Sequence, residues 1–239
     1  MARMEENVKG IYAGQTPKVK ICGIRTLEDV RIINELKPDF AGFVLAPSKR
    51  QVSLSELKIL IASLDKKIIP VGVFVNQDPD LLLRLVEAGL QILQIHGDEP
   101  LEYMRQLKNK ILEKYQDHRQ VMIWKVVRVG PAANPIVFDA SAFQGLVDGF
   151  VYDKYDPEAY GGTGESFDWN LLQRNQSGQI EKNKVGDIPM ILAGGLNEEN
   201  VASAITLLHP YCLDVSSSVE TEGRKDPDKM KRFINRVRA

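Results

Sequence analysis

The chain alternates between short apolar segments and longer amphipathic ones, and this alternation limits its fold more than any other feature. The eight apolar segments, which the pattern predicts as strands, are Lys18–Cys22, Phe40–Leu45, Ile69–Val75, Gln91–Gly97, Met122–Val127, Gly149–Asp153, Pro189–Ala193 and Tyr211–Val215. A helical pattern follows each of them, although the fifth, near residues 133–144, is short. Such alternation implies parallel strands joined by right-handed crossovers. Eight units in 239 residues favour closure into a single (β/α)8 TIM barrel over an open sheet.

We therefore expect two regions: a short N-terminal extension over residues 1–17, with no order of its own, and one barrel domain over residues 18–239. The extension mixes charges and lacks the apolar core, about 7–15 residues long, of a signal peptide. Two cysteines in a chain of this length suit a reducing compartment, and no apolar run approaches the ~18 residues of a membrane span. These features predict a cytoplasmic protein that does not bind a membrane.

The charge balance argues against a nucleic-acid partner. Lys plus Arg (31) nearly equals Asp plus Glu (32), so no overall field draws the chain to a polyanion. Any phosphate that it binds must be held by a local site, as expected for a small-molecule substrate. No metal site is expected, because the sequence contains no CxxC or HExxH motif and only three histidines.

Cys22 lies at the junction of the first strand and the first helix. Thr26 and Asp29 match a capping box that starts a helix just beyond it, and strand alternation places Lys20 on the same face as Cys22. A free cysteine commonly behaves as a small buried hydrophobe. A neighbouring cation or a helix N-terminus can instead lower the thiol pKa from about 8.5 and yield a reactive thiolate. The local sequence leaves both interpretations open.

The loops that follow the strands of such a barrel gather on one face, where active sites lie. The last two predicted strands are followed by Gly194-Gly195 and Ser216-Ser217. These residues offer backbone N–H groups and hydroxyls to a phosphate at a position where this fold commonly holds one. Taken alone, each of these two segments is explained equally well as an ordinary turn.

Asp153 ends the sixth predicted strand, across the expected barrel mouth from Cys22. One acid and one base flanking a cavity are what a proton-shuttling isomerisation needs. By itself, however, Asp153 would be read as a solvated or capping carboxylate. Arg50 follows the second strand, His96 lies at the end of the fourth, and both face the same mouth.

Seven motifs, in order from about Lys18 to the C-terminus, resemble those of the phosphoribosylanthranilate isomerase family. They are Lys20-Ile21-Cys22-Gly23-Ile24, Ser48-Lys49-Arg50, Val73-Phe74-Val75-Asn76, Gln94-Ile95-His96-Gly97, Tyr160-Gly161-Gly162-Thr163-Gly164 with Phe167-Asp168-Trp169, Ala193-Gly194-Gly195-Leu196-Asn197 and Asp214-Val215-Ser216-Ser217.

The resemblance implies a (β/α)8 barrel that catalyses an Amadori rearrangement in tryptophan biosynthesis, without a cofactor. We expect a monomer or homodimer. By position, Asp153 matches the family's general acid, Cys22 its general base and Arg50 the residue that pairs with the anthranilate carboxylate. The other expected substrate contacts are His96 and, near the phosphate, Gly194, Gly195, Ser216 and Ser217.

Three departures qualify this transfer, and one of them is the N-terminal extension, which is longer than the family needs. Ser218 replaces a glycine of the usual pattern, and Lys154 follows the acid where a small or polar residue is usual. We expect Lys154 to point outward, because neighbours on a strand face opposite sides. Lys20 would be a buried cation in need of a carboxylate, and Asp214 on the eighth strand is the predicted partner.

Two alternative functions remain at this point. One is a related phosphoribosyl-sugar isomerase, against which the carboxylate-binding Arg50 argues weakly. The other is a barrel that binds sugar phosphates without catalysis, which would be free to lose Cys22 or Asp153.

Overall fold

The structure, a computed structural model, describes residues 16–115, 121–130, 139–154, 166–172 and 188–239. Eight parallel strands close into a barrel in chain order, so the predicted single (β/α)8 fold is confirmed. They are β1 Lys18–Cys22, β2 Phe40–Val44, β3 Ile69–Phe74, β4 Ile92–Ile95, β5 Met122–Val129, β6 Gly149–Lys154, β7 Met190–Leu192 and β8 Cys212–Val215. Within the described ranges no helix is both long and apolar enough to cross a membrane. Residues 1–15 of the expected extension lie outside the described residues.

The α-helices that the structure describes are α1 Leu27–Leu36, α2 Leu54–Ala62, α3 Pro79–Glu87, α4 Leu101–Tyr115, α5 Val201–Leu208 and α6 Pro227–Arg238. Two expected helices, near residues 133–144 and 168–173, are described only in part, and those parts are not α-helical. Ala140–Phe143 and Trp169–Leu172 are single 3-10 turns, and the flanking residues 131–138 and 173–187 lie outside the described residues. A third 3-10 turn, Ser217–Val219, and a two-stranded hairpin of β9 Glu220–Thr221 with β10 Arg224–Lys225 follow β8 and had no counterpart in the sequence prediction.

Local sequence signals set where several helices begin. The Thr26 side chain accepts a hydrogen bond from the Asp29 N–H, and Asp29 accepts in return from the Thr26 N–H, which completes the predicted capping box. Ser53 and Glu56 form the same motif before α2. Pro79 occupies the first turn of α3, where its missing N–H costs nothing.

The strands divide the apolar side chains between two clusters. Val19 and Ile21 are fully buried in the larger cluster, which lies between the strands and the helices. Phe40, Ile92 and Cys212, on the opposite faces of their strands, belong to a second cluster inside the barrel. Two residues further along these strands, the inward-facing residues are polar: Gln94 on β4 and Asp214 on β8. The inside of the barrel is therefore polar at the carboxyl ends of the strands, where active sites of this fold lie.

Candidate active site

A single cavity at the carboxyl ends of the strands contains all eight residues that the sequence predicted for the site. The members of this set are Cys22, Arg50, His96, Asp153, Gly194, Gly195, Ser216 and Ser217. Lys154, next in the chain to Asp153, is not among the residues that line it, as expected for the opposite face of a strand. The barrel closure brings these residues together from positions up to 195 apart in the sequence.

Cys22 ends β1 with its thiol beside an ion pair. Lys20 precedes it by two residues and donates from Nζ to Asp214 Oδ2 at 2.6 Å, which confirms the partner predicted for this buried cation. Lys20 is completely buried, and it pairs in register with Asp214 across β1 and β8. Gly42 on β2 leaves the space for the thiol, because a Cβ there would lie 2.8 Å from Cys22 Sγ.

Opposing effects act on the Cys22 thiol. Burial raises its pKa above the ordinary value, and the Asp214 carboxylate adds to this. The cations Lys20 and Lys225 favour the thiolate and partly offset the rise. The net effect is a raised pKa of Cys22, so the thiol is the major form near neutral pH.

Asp153, near the end of β6, faces His96 and its own loop. Its Oδ1 accepts from the Lys154 N–H at 2.8 Å, and its Oδ2 lies 3.4 Å from His96 Nε2. His96 Nδ1 lies 3.3 Å from the amide nitrogen of Gln94, two residues earlier on β4. If that amide donates to Nδ1, the imidazole carries its proton on Nε2, toward Asp153. Gln94, His96 and Asp153 thus lie in a row across β4 and β6, and His96 Nε2 makes no hydrogen bond among the described residues.

Arg50 follows β2 and is held by a partner that the sequence did not indicate. Its Nε and Nη2 donate to the two carboxylate oxygens of Glu220, at 2.8 and 2.7 Å. Lys225 donates to the same carboxylate at 2.8 Å. Burial alone would raise the pKa of Glu220, but the hydrogen bonds from Arg50 and Lys225 outweigh it and lower that pKa to about 2. Arg50 nevertheless lines the cavity.

The loops after β7 and β8 are joined directly to each other. Gly194 has a φ of 78°, and a Cβ at that position would approach the backbone nitrogen of Lys154 to 2.8 Å, so a side chain is excluded there. The Ser218 hydroxyl donates to the Leu196 carbonyl at 2.5 Å, and the Ser216 hydroxyl to the Cys22 carbonyl at 3.2 Å. Ser218, the departure from the usual glycine, therefore ties the two glycine- and serine-rich loops together.

Several polar residues at or beside the site were not among the predicted site residues, although Asp214 was predicted as the partner of Lys20. Gln94 and Asp214 line the cavity, and each carries a buried oxygen with no hydrogen-bond partner among the described residues. A weak signal existed for both, because each lies two residues from a predicted site residue on the same strand face. Glu220 and Lys225 follow β8 on the hairpin, and nothing local in the sequence points to them.

Comparison with known proteins agrees with this geometry. The family model of N-(5'-phosphoribosyl)anthranilate (PRA) isomerase matches residues 19–236. The isomerase of Thermoanaerobacter sp. (strain X514) is 44% identical over 222 residues, which cover 92% of this chain and 98% of that protein. The isomerase of Clostridium acetobutylicum is 43% identical over 223 residues, with the same coverage.

Solved structures give the same result. The phosphoribosyl anthranilate isomerase of Thermotoga maritima superposes with a TM-score of 0.75 at 33% identity, over 93% of this chain and 98% of that one. A phosphoribosyl anthranilate isomerase in complex with reduced 1-(o-carboxyphenylamino)-1-deoxyribulose 5-phosphate superposes with a TM-score of 0.71 at 31% identity, with the same coverage. The eight-stranded barrel, the cavity at its mouth and these matches over nearly the whole chain lead to one conclusion: the chain belongs to the N-(5'-phosphoribosyl)anthranilate isomerase family.

Proposed function

We propose that this chain converts N-(5'-phosphoribosyl)anthranilate to 1-(2-carboxyphenylamino)-1-deoxyribulose 5-phosphate, a step of tryptophan biosynthesis, with Asp153 as general acid and Cys22 as general base. The observation that carries the proposal is that these two groups line the same cavity at the mouth of the barrel. Asp153 is on β6 and Cys22 on β1, with β7 and β8 between them. A sugar placed between the two side chains can therefore exchange protons with both.

In the first step, protonated Asp153 gives its proton to the furanose ring oxygen. The bond between C1' and that oxygen breaks, and the nitrogen lone pair forms a C=N bond, so the open chain is an iminium ion. Asp153 is well placed for this because it is largely buried and lies close to His96. The imidazole is within reach of the carboxylate that remains after the transfer and supports it.

In the second step, the Cys22 thiolate removes the proton from C2'. The C–H electron pair becomes the C1'=C2' bond of an enolamine, and the positive charge on nitrogen is neutralised. A proton then returns to C1' as the enolamine tautomerises to the ketone. Lys20, next to Cys22 on the inward face of β1 and paired with Asp214, supports the thiolate that this step needs.

The substrate's two anionic ends define the remaining assignments. Arg50 pairs with the anthranilate carboxylate, for which a planar guanidinium offers a bidentate match. The loops after β7 and β8 hold the phosphate through Gly194, Gly195, Ser216 and Ser217, and His96 contacts the sugar between them. Support comes from the joint position of these residues around one cavity.

The proposed base also bears on where the protein works. Cys22 and Cys212 are both free thiols, and a cysteine base loses its function if it is oxidised to a disulfide. A reducing compartment therefore suits the mechanism, in keeping with the cytoplasmic location expected from the sequence. The expected monomer or homodimer stays a prediction.

The test is turnover of freshly generated phosphoribosylanthranilate, followed by loss of anthranilate fluorescence. We expect the parent to be active, and Cys22→Ser and Asp153→Asn each to lose about 10³-fold in kcat. The control Asp228→Asn makes the same change on an exposed residue of α6 and should leave activity unchanged. Circular dichroism and binding of reduced 1-(o-carboxyphenylamino)-1-deoxyribulose 5-phosphate report that each variant is folded.

Two results would contradict the proposal. A folded parent that binds this product analogue but does not turn over the substrate is a binding barrel and not an isomerase. If Cys22→Ser or Asp153→Asn keeps more than about a tenth of the parental kcat, the substituted residue does not transfer the proton in the reaction.

A further inference from the structure

Glu220 lies outside the barrel strands, on β9, and its carboxylate lies behind the site, against the Arg50 side chain that lines the cavity. Its two oxygens accept from Arg50 Nε and Nη2 along one edge of the guanidinium. The side chains of both residues are about nine-tenths buried, with exposed fractions of 10% for Arg50 and 7% for Glu220. A buried, bidentate pair of this kind has one orientation, unlike a solvent-exposed ion pair.

The contacts to Glu220 use two of the five N–H donors of the Arg50 guanidinium. A guanidinium has five N–H donors, one on Nε and two on each Nη. Glu220 takes one from Nε and one from Nη2, and Nη1 has no hydrogen-bond partner among the described residues. The remaining edge, formed by Nη1 and the second hydrogen of Nη2, is the one that matches another carboxylate side by side.

Glu220 is itself held from the other side. Lys225 donates from Nζ to Glu220 Oε1 at 2.8 Å and to the Ser216 carbonyl at 2.9 Å. Lys229, on α6, donates to the Glu220 carbonyl at 2.8 Å. These contacts hold the carboxylate in place independently of Arg50. Arg50, Lys225 and Glu220 together carry one net positive charge beside the cavity.

We propose that Glu220 is a positioning residue, which turns the Nη1–Nη2 edge of Arg50 into the cavity and thereby makes the enzyme select a substrate that carries a carboxylate. Glu220 does not touch the substrate. Without it, Arg50 and Lys225 would be two neighbouring cations in a largely buried site, and their repulsion would move the guanidinium away from its present position. The inference rests on the proposed function, because it assumes that Arg50 binds the anthranilate carboxylate.

The test compares two inhibitors that differ only in the carboxylate. One is reduced 1-(o-carboxyphenylamino)-1-deoxyribulose 5-phosphate, and the other is its phenylamino counterpart, which lacks the carboxyl group. For the parent, the carboxylated compound should bind more tightly by at least about tenfold, as expected for a charge-assisted pair. In Glu220→Gln this preference should fall by about tenfold, whereas binding of the phenylamino compound changes by less than threefold.

The kinetic signature should separate positioning from general damage. In Glu220→Gln the KM for phosphoribosylanthranilate should rise about tenfold with kcat within threefold of the parent, because Cys22 and Asp153 are untouched. Glu222→Gln is the matched control, since Glu222 lies exposed on the same hairpin. Glu220→Asp keeps the charge on a side chain one methylene shorter, and we expect an intermediate loss of preference.

Each other outcome has a distinct meaning. If the parent shows no preference for the carboxylated inhibitor, the assignment of Arg50 in the proposed function fails. If the parent shows this preference and both Glu220 variants retain it, the inference about Glu220 fails while the proposed function stands. Equal weakening of both inhibitors in the variants would mean that Glu220 only stabilises the fold, and this too would overturn the inference.

Discussion

Lys20 and Asp214 face each other across the β1–β8 seam of the barrel, with Nζ and Oδ2 2.6 Å apart and both side chains removed from solvent. Burial alone would lower the pKa of Lys20, but the carboxylate beside it outweighs that effect and raises the pKa above its ordinary value. The lysine thus stays charged at the floor of the cavity. That charge lies next to the thiol of Cys22, so the pair links the closure of the barrel to the chemistry proposed for it.

The first prediction concerns the stability of this pair. Lys20→Met and Asp214→Asn should each lower the free energy of unfolding by about 3–5 kcal/mol, because each leaves the partner buried without its counter-charge. In the double variant the loss should be smaller than the sum of the two by about 2 kcal/mol or more. Urea denaturation of the four proteins measures the coupling. Additive losses would mean that the two side chains do not interact.

The second prediction concerns the titration of Cys22. Because burial raises its pKa, the rate of alkylation by iodoacetamide should reach half its maximum at a pH above the ordinary thiol value of about 8.5. Lys20→Gln should move this midpoint higher, since the ammonium group favours the thiolate. Mass spectrometry separates Cys22, which lines the cavity, from the fully buried Cys212.

The matched control for that titration is Lys18→Gln. Lys18 is on the same strand but half-exposed, and it pairs with Asp39. Lys18→Gln should leave the pH midpoint of Cys22 alkylation unchanged. A midpoint at or below 8.5 in the parent, or one that Lys20→Gln does not move, would contradict the electrostatic account of this thiol.

The third prediction uses Gly42 to move the thiol without changing it. A Cβ at this position would lie 2.8 Å from Cys22 Sγ and 3.0 Å from Cys22 Cα, so Gly42→Ala must displace the base. We expect kcat to fall by about 10–100-fold, because a displacement of about 1 Å is costly to proton transfer. Steady-state kinetics and circular dichroism check this. Parental kcat in a folded Gly42→Ala protein would show that the thiol position is not critical.

The fourth prediction concerns acid stability and Glu220. Its pKa is about 2 in the folded protein, against about 4.3 in the unfolded chain. A lowered pKa contributes stability that is fully present above the unfolded value and is lost as the pH falls toward the folded one. Between pH 5 and 3 the parent should therefore lose about 1 kcal/mol more than Glu220→Gln, after allowance for solvent screening at the cavity mouth. Urea midpoints at several pH values test this, and parallel curves would contradict it.

Much of the fold follows from short-range patterns. The alternation of strands and helices predicted eight parallel strands, and the capping box at Thr26 and Asp29 predicted the first helix start within one residue. Strand alternation placed Lys20 and Cys22 inside the barrel, and the cost of a buried cation pointed to Asp214. These predictions succeeded because each depends on residues close in sequence or on a rule that every closed barrel obeys.

The Arg50 environment depended on the tertiary structure. Its partner Glu220 is 170 positions away, on a hairpin whose two-residue strands leave no periodic signal. The expected helices near residues 140 and 170 are single 3-10 turns in their described parts.

The sequence by itself thus determined the barrel, its order of strands and the residues at its mouth, since backbone periodicity and buried charge are local constraints. Only the tertiary structure decided how those residues are oriented: which edge of Arg50 is occupied, where Ser218 donates and which cations surround Cys22. Orientation depends on contacts between loops that are far apart in the chain. No local pattern encodes these contacts, because they form only when the barrel closes.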